Sequence, residues 1–465
     1  MSKKRDVIVV GAGPAGYAAA FMAADKGREV TIVDPEKNPG GVCLYRGCIP
    51  TKALLHVVKT RHEARRAAEW GLRFGDPELD LDRLREWKGE VVAKLTGGVG
   101  SLAKRRKIEH IHGIARLSDA STVEVTEGDE QQTLSAENVI LATGSQARML
   151  PMMPDDERVW IADHALDIPF VPKRLLVVGG GYIGLEMSYI YNGLGASVDM
   201  VEMTDGLMPG ADRDIVEVFT EANETLFERT LLSTMVESVN ATSDGLDVSF
   251  SGEGAPEDSA RYDAILVATG RAPNLERVGV EAVGIELTDE GFVAVDDQMR
   301  TSIDHIFAVG DIVGPPLLAH KGLHEGRVAG AVLGGENQVI NDARAIPAVE
   351  YTDPEVAWVG LTERQAKQQG RSVKVSRFPW KASGRAITMG RSSGLTKLII
   401  DHESERILGA CIAGAHAGEM IAEAAHAVEM ASTARDLELT IHPHPTLTET
   451  LLGAAQRFYG TATDI

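Results

Sequence analysis

The sequence predicts an α/β fold in which two Rossmann-like dinucleotide-binding domains precede a C-terminal α+β domain. Three features carry that expectation. A strand–glycine turn–helix unit occurs twice at a constant offset, an acidic residue closes the next strand of each unit at that same offset, and a later buried strand is echoed too. A chain of 465 residues has room for several domains of roughly 100–200 residues each. The expected boundaries are 1–148 and 149–272 for the nucleotide-binding domains, 273–344 for a short central domain, and 345–465 for the last.

The first unit opens with the apolar strand Val7-Ile-Val-Val10, followed by Gly11, Gly13 and Gly16. Its counterpart Leu176-Val-Val178 runs into Gly179, Gly181 and Gly184, each 168 positions after its mate, as Gly195 is after Gly27. In such a turn the first glycine permits the tight bend and the second lets the backbone approach a pyrophosphate. The third allows close helix–strand packing, and the helix N-terminus faces the phosphate charge. Asp34 and Glu202, also 168 apart, end the following strands, where a carboxylate accepts hydrogen bonds from a ribose diol. A lone glycine motif is often an ordinary turn. Here each copy follows a strand, precedes a helix and carries the acid, so two dinucleotide sites are expected.

The echo is Asn138-Val-Ile-Leu-Ala-Thr143-Gly144, whose Thr-Gly ending recurs 126 positions later as Thr269-Gly270 after Asp263-Ala-Ile-Leu-Val-Ala. Both segments read as buried strands ending in small residues, where backbone can close over a cofactor. Met203-Thr204-Asp205 follows Glu202 with no Arg or Lys to receive a 2′-phosphate, so the second unit favours NAD over NADP.

Cys43 and Cys48 lie in Gly40-Gly-Val-Cys43-Leu-Tyr-Arg-Gly-Cys48-Ile-Pro50-Thr-Lys52. Their spacing is not that of a zinc ribbon, and a disulfide closing so short a loop would restrict the unfolded chain little. Pro50 suits the first turn of a helix, which puts Cys48 at the N-terminus, where N–H groups and the helix dipole favour a thiolate. Lys52, one turn on, adds positive charge to the same face. The pair therefore reads as reactive.

Further on, His442-Pro-His444-Pro-Thr-Leu-Thr-Glu449 could set a carboxylate behind an imidazole base, or could be a surface loop. The residues alone leave both open. Strand-like Thr396–Ile400 and an alanine-rich helix near Ala413–Ala431 make the last domain α+β. Cys411 reads as a small core residue, His320 and His324 as packing, and Lys104–Lys107 as a solvated helix end.

Composition removes several classes of function. At 44% apolar and 25% charged residues the chain is neither disordered nor fibrous. A net charge of −21 argues against nucleic-acid or anionic-membrane partners. No apolar run approaches the roughly 18 residues of a membrane span. The opening Met1-Ser-Lys-Lys-Arg-Asp leaves no room for a signal peptide, and three cysteines form no disulfide framework, so a cytoplasmic setting is expected.

Taken together, the cysteine segment, both glycine units, Thr269-Gly270-Arg271-Ala-Pro273-Asn274, Ile306-Phe-Ala-Val-Gly310-Asp311, Leu318-Ala319-His320 and the segment 441–449 resemble the flavoprotein disulfide reductases, most closely the branch that oxidises dihydrolipoamide. The resemblance spans essentially the whole chain. It implies FAD on the first unit, with Gly11, Gly13, Gly16, Asp34, Ala115, Thr143, Gly144, Asp311 and Ala319 around it. It implies NAD on the second, with Gly179, Gly181, Gly184, Glu202, Val236 and Gly270. Cys43 and Cys48 would form a redox disulfide, Cys48 facing the flavin and Cys43 exchanging with substrate. Lys52, paired with Glu186, would lie by flavin N5. His444 would act as base with Glu449 as its partner, and His442 would be structural.

The central domain would return to the flavin, and the last domain would mediate dimerisation, placing His444 in the other subunit's site. The implied partners are a second copy of the chain and a lipoylated carrier protein or 2-oxoacid dehydrogenase complex core. A redox-silent FAD/NAD-binding scaffold and another disulfide reductase of the family are the alternatives. The chain departs from the family pattern at Tyr45-Arg46, usually Asn and Val, at Asp34, more commonly Glu, and at Pro443, usually Ala. Arg46 would place a cation beside the disulfide and could shift its potential, with about 30 mV corresponding to roughly 1.4 kcal/mol.

Overall fold

The computed structural model describes residues 4–75 and 77–463. Its first layer is a parallel sheet in the order Glu109–His112, Val30–Asp34, Arg5–Val10, Glu130–Leu141 and Ile306–Ala308. The last of these strands arrives from far along the chain, so residues of the expected central segment complete the first sheet. The long strand Glu130–Leu141 serves two sheets. Its first half pairs antiparallel with Thr122–Glu127, and its second half pairs parallel with Arg5–Val10.

The second parallel sheet runs Arg229–Leu231, Ser197–Val201, Arg174–Val178, Ala264–Val267 and Val159–Trp160. The sequence repeat is reproduced in strand register. Val7 pairs with Val30 and Leu175 with Val198, both members moved by 168. On the other side Val7 pairs with Asn138 and Leu175 with Ala264, so the 126-residue echo is the equivalent strand of each unit. All four residues of Ala264–Val267 are buried, as expected of a parallel strand covered on both faces.

Helix Pro14–Asp25 follows the first glycine turn and packs against helix Ala319–Leu333. Small residues set how closely they approach. A Cβ on Gly326 would lie 2.2 Å from the Ala15 carbonyl oxygen, and one on Gly330 would lie 2.6 Å from that of Ala19.

The C-terminal sheet is antiparallel, in the order Ala348–Glu350, Glu355–Gly360, Ile407–Gly414, Leu395–Asp401 and Val373–Pro379, with helices Ala417–Glu429 and Glu449–Tyr459 against it. Cys411 is buried in the third of these strands and its thiol is pushed up to about 12 by burial, which makes it a core residue. Lys397, fully buried, ties this sheet to the second nucleotide-binding unit through Asp212 at 2.7 Å and Asp214 at 2.6 Å. No helix among the described residues is long and apolar enough to cross a membrane.

Candidate active site

A continuous cavity of about 1590 Å³ runs along the two glycine turns and past both N-terminal cysteines. Sites for a single small molecule are typically about 300–1,000 Å³, so this space suits two dinucleotides better than one ligand. On one side its wall includes Gly11, Gly13, Asp34, Lys52, Ala115, Thr143, Gly144, Asp311 and Ala319. On the other it includes Gly179, Gly181, Glu186, Glu202, Val236 and Gly270.

Gly16 and Gly184 stand behind the wall and act by packing. A Cβ on Gly16 would fall 2.0 Å from the Gly11 carbonyl oxygen, and one on Gly184 would fall 1.9 Å from that of Gly179. Gly11 and Gly179 turn with φ of +95° and +111°, a left-handed conformation that favours glycine. Gly13 and Gly181 leave open space where a side chain would stand, since the nearest atom to a Cβ on Gly13 is 3.9 Å away and nothing lies within 4 Å of one on Gly181.

The two acids are held alike. The Ala12 N–H donates to Asp34 at 2.7 Å and the Gly180 N–H donates to Glu202 at 2.7 Å, each acid reaching back to the middle of its glycine turn. Asp34 also accepts from the Glu36 N–H at 2.9 Å, and burial pushes its carboxyl above the usual value. Thr143 Oγ1 and Asn274 Oδ1 are enclosed in the cavity wall without a hydrogen-bond partner in the chain. Such orphaned atoms, with the open cradles at Gly13 and Gly181, fit dinucleotides that satisfy them.

Helix Cys48–Arg66 begins at Cys48, which is open to the cavity, while Cys43 lies on the preceding short helix Gly41–Arg46. Both are free thiols. A hydrogen bond from Cys43 draws the Cys48 thiol down to about 7, with Lys52 helping, against burial and the Glu186 charge. The same contact, with burial and the Cys48 charge, pushes the Cys43 thiol far up, so Cys43 keeps the proton. Lys52 Nζ donates to both oxygens of Glu186, at 2.8 and 3.0 Å, and lies 4.3 Å from the centre of the Tyr351 ring.

His444 and Glu449 are a bonded pair, Nδ1 to Oε1 at 2.9 Å, and the Thr446 N–H holds the other Glu449 oxygen at 2.7 Å. They stand outside the cavity wall, and the His444 side chain is 80% exposed. One chain therefore does not bring this pair to its own cysteines. The His442 side chain is enclosed, bonded to Glu423 at 2.8 Å and to the Thr440 carbonyl at 2.9 Å.

Several wall residues escaped sequence reasoning. Ser145 donates to Asp311 at 2.5 Å and accepts from Arg271 at 2.7 Å, joining the first unit, the returning segment and the strand after Thr269-Gly270. Arg271 stands inside a quoted motif, but nothing in its spacing discloses that contact. Glu350 and Tyr351 belong to no motif, yet both line the cavity beside Lys52. The Arg46 expectation needs correction. Its guanidinium bonds Glu36 at 2.6 Å and reaches Asp163 at 3.4 Å, so its charge is answered by carboxylates and does not stand free beside the sulfurs.

Both halves of the architecture match family models. Residues 5–326 match the pyridine nucleotide-disulphide oxidoreductase family, and residues 346–455 match that family's dimerisation domain. The chain belongs to the pyridine nucleotide-disulphide oxidoreductases. Among its relatives are the dihydrolipoyl dehydrogenase of Vibrio cholerae, 48% identical across 100% of this chain and 98% of the relative, and that of Thermus scotoductus, 43% identical across 100% and 99%. Among solved structures, LpdA of Mycobacterium tuberculosis superposes with a TM-score of 0.89 at 27% identity, covering 97% of this chain and 99% of the other. The flavoprotein disulfide reductase RclA of Escherichia coli superposes with 0.86 at 26% identity, covering 97% and 99%.

Proposed function

We propose that this chain is a dihydrolipoyl dehydrogenase, a homodimeric flavoprotein that oxidises dihydrolipoamide on a carrier protein and reduces NAD⁺. The observation that carries the reading is the thiol pair beside two dinucleotide cradles, its inner sulfur drawn down to about 7 at a helix N-terminus. Relatives bearing that name over the full length support it. The cradle around Gly11, Gly13 and Asp34 suits FAD, with Asp311 and Ala319 closing it. The cradle around Gly179, Gly181 and Glu202 suits NAD, with Val236 and Gly270 at its side.

In the proposed reaction the partner's His444, steadied by Glu449, takes the proton from a lipoyl thiol, because only the thiolate attacks a disulfide. That thiolate bonds to Cys43 Sγ, the Cys43–Cys48 bond breaks, and Cys48 leaves as a thiolate favoured by Lys52 and the N–H groups at its helix start. The second lipoyl thiol then attacks the lipoyl sulfur of the mixed disulfide, closes the oxidised ring and passes its proton to the departing Cys43, while His444 returns the first proton to solvent. Two electrons then reside on the cysteine pair. FAD held by the cradle around Gly11, Gly13 and Asp34 would supply two-electron chemistry between that pair and NAD⁺.

Lys52 and Glu186 keep a fixed charge pair against this wall. The lipoyl group would ride on a 2-oxoacid dehydrogenase complex core or another lipoylated protein.

Cys48→Ser tests the reading. Reduction of NAD⁺ by dihydrolipoamide should fall by at least about a thousandfold, since the sulfur that leaves as a thiolate is gone. Undiminished turnover with bound FAD would refute it.

A further inference from the structure

Glu350 ends the edge strand Ala348–Glu350 and is completely buried, yet neither of its carboxyl oxygens has a hydrogen-bond partner in the chain. It lines the cavity at the wall where Lys52 and Glu186 meet. The groups facing it come from three elements. Lys52 lies on the helix that begins at Cys48, Glu186 and Tyr182 lie on the helix after the second glycine turn, and Tyr351 follows Glu350 directly. The Lys52 ammonium gives its hydrogen bonds to Glu186 and leaves Glu350 unbonded, and the Tyr351 N–H adds a third to Glu186 at 3.2 Å.

An ionised carboxylate with no donor in so enclosed a place is very costly, so the group keeps its proton. Burial is the main cause and Glu186 adds to it. Together they hold the Glu350 carboxyl well above the usual range, with Lys52 opposing. Lys52 is the one ammonium in this cluster, and the charge of Cys48 depends on it as well.

We propose that Glu350 is a positioning residue for the thiol chemistry: as a neutral acid it leaves the Lys52 ammonium available to Cys48, and it yields its proton only at the expense of the Cys48 thiolate. Glu350 and Cys48 thus compete for one positive charge through Lys52. The proposal deepens the reading of Cys48 as the inner redox sulfur, and its test measures ionisation of that sulfur without requiring turnover.

The test uses FAD-loaded Cys43→Ser protein, in which Cys48 is the thiol open to reagent because Cys411 is buried. Iodoacetamide alkylation of Cys48 is followed by mass spectrometry from about pH 5 to about pH 10. The parent should show a broad profile, as Glu350 titrates against the sulfur. Adding Glu350→Gln should leave the acid limb in place and give a single, steeper step, with alkylation about threefold faster on the alkaline side of the midpoint, where Glu350 has lost its proton in the parent. Glu350→Leu should move the profile the same way, since both remove the ionisable acid, and retained flavin absorbance shows that each variant is folded. With Lys52→Met also present, the Glu350→Gln displacement should vanish. Superimposable parent and Glu350→Gln profiles would overturn the proposal. So would opposite shifts for Gln and Leu, or a displacement that survives intact without Lys52.

Discussion

Cys48 depends on a hydrogen bond from Cys43 and on the charge of Lys52, set against burial. Its pKa in the fold lies below the ordinary thiol value, so the thiolate persists down to about pH 7 and is lost as pH falls further. In reduced enzyme, Lys52→Met should move the pH dependence of Cys48 alkylation upward, cutting the thiolate fraction near neutrality roughly tenfold. An unmoved profile would mean that the helix start and Cys43 suffice. Arg46 should matter far less, because Glu36 and Asp163 meet its charge. Arg46→Val is expected to leave the disulfide potential within about 30 mV of its parent, measured by equilibration against a dithiol couple of known potential. A larger shift would restore a direct role for that cation.

At the scale of elements, the glycine turns are legible in sequence because their physics is local. A helix must start close over a strand end, and only glycine tolerates the approach made by Gly16 and Gly184. Gly184→Ala should therefore destabilise the second unit by about 1–3 kcal/mol, since backbone must move to admit the methyl group. Urea unfolding should show the loss, and NAD⁺ affinity should weaken with it. Unchanged stability would mean that the turn relaxes freely.

The acids at 34 and 202 were equally legible, because a fixed strand length separates each from its glycines. The Ser145–Asp311–Arg271 contact was not, nor was Glu350. Ser145 and Asp311 are 166 positions apart, and the burial of Glu350 arises only when an edge strand of the last sheet meets the helix after the second glycine turn. Neither leaves a trace in local residue spacing. The His444–Glu449 pair lies between these cases, since its spacing allows the bond seen in the fold but leaves a plain surface loop equally open.

At the scale of the whole molecule, the returning strand Ile306–Ala308 and the Lys397 clasp weld the segments into one body, while His444 and Glu449 face outward. If those residues serve the neighbouring subunit, mixing two inactive variants should restore function. Cys48→Ser and His444→Gln dimers, dissociated and reassociated together, should recover about a quarter of parental turnover, because half of the dimers then carry one intact site of two. Mixtures as inactive as their components would place the histidine in its own chain's site.

The outward-facing imidazole also bears on how the protein behaves when scarce. If the base comes from the neighbouring subunit, an isolated copy would still offer both nucleotide cradles, yet its sulfurs would lack the group that admits electrons from the substrate dithiol. Specific activity should thus fall on dilution more steeply than flavin content, and a newly folded, unmated chain would be chemically quiet until it meets its twin.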